Sequence, residues 1–206
     1  HLIIPGTFLT YNFRVTYGLA TITILPDTAV FVIDPSSLIQ TYDGAPKSVG
    51  VSVLPDSVAY TVTYNGSSAL PVNAGTYAVQ VTVVDPNYVG SASATLLIEP
   101  AIAQFTIDPT TLTQTYTSGA LAAGVTVAPV GVPFSVTYNG STAPPVNAGT
   151  YAVQVVVNDP NYVGSASATL IVQKATALIT ISTSSLTQTY NATPRTVGVN
   201  VSPTGV

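Results

Sequence analysis

Apolar and polar residues alternate along most of this chain. Ala29, Phe31 and Ile33 interleave with Val30 and Val32, and Val49, Val51 and Val53 with Gly50 and Ser52. Val58, Tyr60, Val62 and Tyr64 interleave with Ala59, Thr61 and Thr63. The pattern continues through Tyr77, Val79, Val81 and Val83, and through Ala92, Ala94, Leu96 and Ile98. A period of two puts one set of side chains on a core face and the other outside, which is the mark of a strand. No segment carries a convincing period of 3.6, so no helix is predicted. Asn65-Gly66 is a hairpin signal between two of these runs. "NAG" at 73–75 and "DPNYVG" at 85–90 mark the next two boundaries. The pattern predicts five to seven short antiparallel strands, packed as a small immunoglobulin-like β-sandwich. A β-grasp is the alternative and would require a helix.

The same words then return. "PVNAGTYAVQV" occupies 71–81 and again 145–155, and "DPNYVGSASATL" occupies 85–96 and 159–170. Tyr42, Tyr116 and Tyr190, in "QTYDG", "QTYTS" and "QTYNA", stand 74 residues apart. A gap-free period of 74 divides the chain into four parts. Residues 27–100 and 101–174 are complete repeats. Residues 175–206 read as the N-terminal strands of a truncated third repeat. Residues 1–26 read as the C-terminal strand or strands of a truncated preceding unit, because "VTYGLATITILP" at 15–26 aligns with "VGSASATLLIEP" at 89–100. The connections "EPAIAQ" at 99–104 and "QKATAL" at 173–178 have almost no slack, which favours an extended array of tandem sandwiches.

Composition sharpens this reading. Only 6% of the 206 residues are charged, whereas an average soluble domain has about 25%. Hydrophobic residues make up 47%, enough for packed cores. A mean hydropathy of +0.47 raises the question of a membrane, yet no apolar run reaches the roughly 18 residues of a spanning helix. The basic residues are Arg14, Lys47, Lys174 and Arg195 against a net charge of −4, so nucleic acid and anionic lipid are not expected partners. Cys, Met and Trp are absent. A chain without oxidisable sulfur suits an oxidising, extracellular setting. It starts at His1 without an initiator Met, and reads as a processed product or a window on something longer.

The words "TYDGAPKSVGV", "VTYNGSS" and "PVNAGTYAVQVTVVDPNYVGSASATLLI", with their second copies, resemble the MBG and YDG-type repeats of bacterial surface proteins. The resemblance covers 27–174 and the opening of the third unit. Units two and three depart at the "YDG" itself, where Asp43-Gly44 becomes Thr117-Ser118 and then Asn191-Ala192. The resemblance implies tandem arrays in long secreted or cell-surface, adhesin-like proteins. It implies no catalytic residues.

Catalytic chemistry is scarce. His1 is the only histidine and is terminal, so no repeat holds a Ser-His-Asp or Cys-His arrangement. No enzyme activity, cofactor or transition-metal site is expected. Asp34 and Asp108 recur at the repeat spacing and are the calcium candidates. Calcium wants six to eight oxygens, so turn chemistry is the favoured reading of "IDP" and of "DPN" at Asp85 and Asp159. A Lys–Asn cross-link is disfavoured, because Lys47 corresponds to Leu121 and Arg195, and Lys174 to Pro100. Asn65, Asn139 and Asn191 fit the N-glycosylation pattern, while the hairpin turn alone explains the first two. Tyr88 and Tyr162, in the "DPNY" turns, are candidates for sugar stacking, against turn packing.

These observations predict a non-catalytic stalk or filament segment of an extracellular or bacterial cell-surface protein, with neighbouring repeats as its partners. One alternative is a filament subunit joined head-to-tail to copies of itself by strand complementation, with Val15, Tyr17, Ala20, Ile22 and Ile24 as the donated face. The other is a module that binds carbohydrate or a host protein through its loops.

Overall fold

The computed structural model describes residue 18 and residues 21–203. The chain divides into two compact units that part between Ala101 and Ile102. Among the described residues there is no α-helix, only strands and three short 3-10 turns.

The first unit holds β1 (Asp27–Thr28), β2 (Val30–Ile33), β3 (Ile39–Thr41), β4 (Val51–Leu54), β5 (Tyr60–Tyr64), β6 (Gly75–Val83), β7 (Tyr88–Val89) and β8 (Ser91–Glu99). Four strands form the larger sheet in the order β3-β8-β6-β5, while β2 and β4 pair in a second layer. The long strands are antiparallel, with Tyr77 opposite Leu96 and Val62 opposite Val81. The alternation seen in the sequence chooses the faces. Val79, Val81, Leu96 and Ile98 are almost wholly buried, and each contributes roughly 1.5–3 kcal/mol. Ile33, Tyr42, Val49, Val62 and Tyr77 close over the cluster of Tyr64, Val79, Leu96 and Ile98. A second cluster, Ala29, Val53 and Val58, is flanked by Phe31 and Tyr60, whose rings meet edge to face with centroids 5.4 Å apart.

The expectation of purely antiparallel strands is corrected here. β3 runs parallel to β8, with Ile39 opposite Leu97, and β1 runs parallel to β7. The cause is local. Asp34-Pro35 starts a 3-10 turn that ends β2 and sends the chain into the other sheet. β3 itself was not predicted, because three residues are too few for an alternation to show.

The next repeat follows the same plan with β9 (Ala101–Ile102), β10 (Gln104–Ile107), β11 (Thr113–Thr115), β12 (Val125–Ala128), β13 (Phe134–Tyr138), β14 (Gly149–Val157), β15 (Tyr162–Val163) and β16 (Ser165–Gln173). Its larger sheet is ordered β11-β16-β14-β13, and β10 pairs with β12. Its core is Tyr138, Val153, Leu170 and Val172. β17 (Leu178–Ile181) and β18 (Val199–Ser202) form a hairpin equivalent to β2–β4.

Of the proposed donated face, Val15, Tyr17 and Ala20 lie outside the described residues. Ile22 and Ile24 are exposed, and no strand covers residues 22–26.

Candidate functional site

In each repeat a set of polar side chains forms a clasp where the chain crosses between sheets. Asp34 caps the 3-10 turn Pro35–Ser37. Its Oδ1 accepts the N–H of Ser36 at 2.9 Å and the Ser36 hydroxyl at 2.8 Å. The Ser37 hydroxyl donates to the Asp34 carbonyl at 2.7 Å and accepts the Gly50 N–H at 2.9 Å. The amide of Gln40 completes the clasp, donating to the carbonyls of Ser37 at 2.8 Å and Ser48 at 2.9 Å. Apart from the Ser36 hydroxyl bond, each of these engages a backbone group at the crossover.

The second repeat rebuilds this with Asp108, Thr110, Thr111 and Gln114. The Gln114 amide donates to Thr111 at 2.7 Å and Ala122 at 2.9 Å, and Gly124 donates to the Thr111 hydroxyl at 2.8 Å. The third hairpin keeps the Gln188 bonds to Ser185 and Thr196 and the Gly198–Ser185 bond. It has Ser182 at the aspartate position, with no side-chain cap on the backbone.

Three further fastenings recur. The Tyr64 hydroxyl accepts the Val49 N–H at 3.0 Å, and Tyr138 accepts from Ala123 at the same distance. The Tyr77 hydroxyl donates to the Asn73 carbonyl at 2.8 Å, and Tyr151 donates to Asn147 at 2.9 Å. A tyrosine near the start of a strand, bonded back to the corner before it, is a tyrosine corner of the immunoglobulin-type sandwich. Asn65 and Asn139 adopt positive φ, 51° and 48°, at the hairpins. Their Oδ1 atoms accept from Ala78 and Ala152 at 2.8 Å, extending the ladder by one bond.

The carboxylates are placed one by one. Asp34 and Asp108, the calcium candidates, are each engaged in their own turn. The hydroxyls of Ser36 and Thr110 hold these carboxyls below the ordinary aspartate range. Among the described residues no group of three or more His, Cys, Asp or Glu is placed so that it could hold a metal ion. Asp85 and Asp159 accept from Asn87 and Asn161, as turn chemistry predicts. Asp43 pairs with Lys47 at 2.7 Å, and that ammonium lowers its pKa. Lys47 is specific to the first repeat and buries most of its stem against it, with 12% of the side chain exposed.

Asn191 is exposed, and its Oδ1 accepts the Thr193 N–H at 3.2 Å. Tyr88 is half-buried against the Ala29, Val53 and Val58 cluster, and Tyr162 is half-buried as well. A groove of about 660 Å³ lies beside Tyr116, Asn147, Lys174 and Pro203. No helix is long and apolar enough to cross a membrane.

Fold and clasp together define tandem, small all-β repeats, each held shut by its own polar clasp. The chain belongs to the MBG domain family, whose model matches residues 33–102 and 103–176. No curated protein matches it.

The glutamine clasp and the tyrosine acceptor were missed in the sequence. The signal was present: Gln40, Gln114 and Gln188 recur at the repeat spacing, each three residues after a Ser or Thr.

Proposed function

We propose that this chain is a non-catalytic spacer, a stalk or filament segment of an extracellular, bacterial cell-surface protein of adhesin type. The observation that carries this is the recurrence of the clasp. The crossover bonds return 74 residues on with distances matching to about 0.1 Å, and the polar groups that make them point back into their own repeat. A module whose polar side chains serve its own closure is suited to being multiplied, because length then grows without new chemistry. Membership of the MBG domain family supports the same reading.

The test is immunogold microscopy of intact, unpermeabilised source cells, with antibody raised to the two repeats. Label standing on the cell surface is the expected result. Label found only after permeabilisation would overturn the proposal.

One observation favours a second reading. In the hairpin β17–β18, Ile179, Ile181 and Val199 are 54–64% exposed, whereas their equivalents Phe31, Ile33 and Val51 are half-buried under a four-stranded sheet. This face fits a sheet of the same kind. In a longer chain the following residues supply it. In a filament subunit another copy does so, head to tail. Deleting residues 1–26 discriminates: loss of assembly supports complementation, and assembly that survives the deletion removes it.

A further inference from the structure

We propose that the free edges of β5 and β13 are self-complementary, and that each docks edge to edge, antiparallel, with the same kind of edge on a second copy of this chain. The larger sheets end at these strands. In the first repeat the Ala59 carbonyl accepts from Val84 at 3.0 Å, and the Asn65 N–H donates to Ala78 at 2.8 Å. Both therefore face β6. Bonding direction alternates along an antiparallel strand, so Thr61 and Thr63 face β6 as well, while Tyr60 and Val62 aim their N–H and C=O groups away from the sheet. Tyr64 also faces outward, but Ser67 occupies its groups at 2.7 and 3.0 Å. The ledge that remains has two donors and two acceptors.

The second repeat reproduces it. Pro133 accepts from Asn158 at 2.8 Å and Asn139 donates to Ala152 at 2.9 Å, which leaves Phe134 and Val136 facing outward. Pro133 sits on the inward-bonding parity and blocks nothing outside.

A ledge of this form is its own complement. Set antiparallel about Thr61, Tyr60 of one copy lies opposite Val62 of the other, and both pairs exchange two bonds, four in all. This two-fold arrangement is isologous and closes on itself. The central side chains are then Thr61 against Thr61, or Ser135 against Ser135. Edge strands of monomeric proteins are commonly guarded by a charge, a proline or a bulge. "YTVTY" and "FSVTY" carry none of these. Each repeat carries its own ledge, and each offers a pairing of its own. This pairing uses β5 and β13 rather than β17–β18, and it is independent of the head-to-tail reading above.

Sedimentation velocity of the whole chain, from micromolar to millimolar concentration, tests it. The expected result is reversible, concentration-dependent association. The double variant Thr61→Lys/Ser135→Lys sets like charges face to face and should weaken association by up to about fivefold per paired edge. Thr61→Glu/Ser135→Glu should do the same alone, and an equimolar mixture of the two variants should restore association. A wild-type chain that stays monomeric at millimolar concentration overturns the proposal. So does a lysine variant that associates like the wild type, or a mixture that fails to recover. Should the charged variants melt early, Val62→Pro/Val136→Pro is the second test: it deletes the outward N–H groups along with two side chains that pack on the cores, so it is read at a temperature where circular dichroism shows it folded, and undiminished association there would again overturn the proposal.

Discussion

The hydroxyl of Tyr64 accepts the backbone N–H of Val49 at 3.0 Å, across 15 residues of chain. Val49 precedes β4, and the bond ties the start of that strand to the opposite sheet. Tyr64 is 4% exposed, so water is a poor substitute partner. Tyr64→Phe keeps the ring and removes the acceptor. The expected loss is about 1–3 kcal/mol for the first repeat, from a half-buried donor left unsatisfied. Urea denaturation followed by tyrosine fluorescence reads it, with Tyr138→Phe giving the matching loss in the second repeat. An unchanged midpoint would show that the hydroxyl is dispensable.

Gln114→Leu is the corresponding test of the clasp. The shorter, apolar side chain cannot donate, so the carbonyls of Thr111 and Ala122 lose their partner together. The expected cost is again about 1–3 kcal/mol, and hydrogen exchange should quicken first at Gly124, whose N–H belongs to the same clasp. Exchange that speeds up evenly across the repeat instead would mean that the glutamine acts through the core.

Gly90 and Gly164 permit a close approach. A Cβ on Gly90 would lie 2.3 Å from the Ala29 carbonyl oxygen, and one on Gly164 would lie 2.1 Å from that of Ala103. Neither strand can retreat without breaking the Ala29–Val89 or Ala103–Val163 bond. Gly90→Ala should cost roughly 1–3 kcal/mol by overpacking. Gly119→Ala, whose added Cβ meets nothing nearer than 3.6 Å, is the control and should change little in a thermal melt.

The faces of β5, β6 and β8 were legible because their alternation is long and their apolar residues bulky. The clasp was not legible, because its meaning lies in pairs such as Gln40 with Ser48 that touch only after the chain has turned. The change of sheet at Asp34-Pro35 has the same origin. The motif announces a turn, but which sheet the next strand joins depends on β8, more than 50 residues on. Asn65 shows a middle case: the hairpin was evident from Asn-Gly, while the bond from Ala78 to its side chain needed the register of β6.

Acid should weaken the protein through three aspartates. The hydroxyls of Ser36 and Thr110 hold Asp34 and Asp108 below the ordinary aspartate range, and the Lys47 ammonium does the same for Asp43. A carboxyl with a lower pKa in the folded state takes up its proton first in the unfolded state as pH falls. The stability it adds is therefore fully present above about pH 4 and is lost as the pH drops through the depressed folded value. All three side chains are solvent-exposed, so screening keeps each contribution modest. Thermal melts should be level from neutral pH to about pH 5 and then decline through the aspartate range. Asp34→Asn/Asp43→Asn/Asp108→Asn keeps one acceptor oxygen in each side chain but removes the titration, so its melting temperature should fall less steeply with acid than that of the wild type. Parallel slopes in the two proteins would place the acid sensitivity elsewhere in the chain.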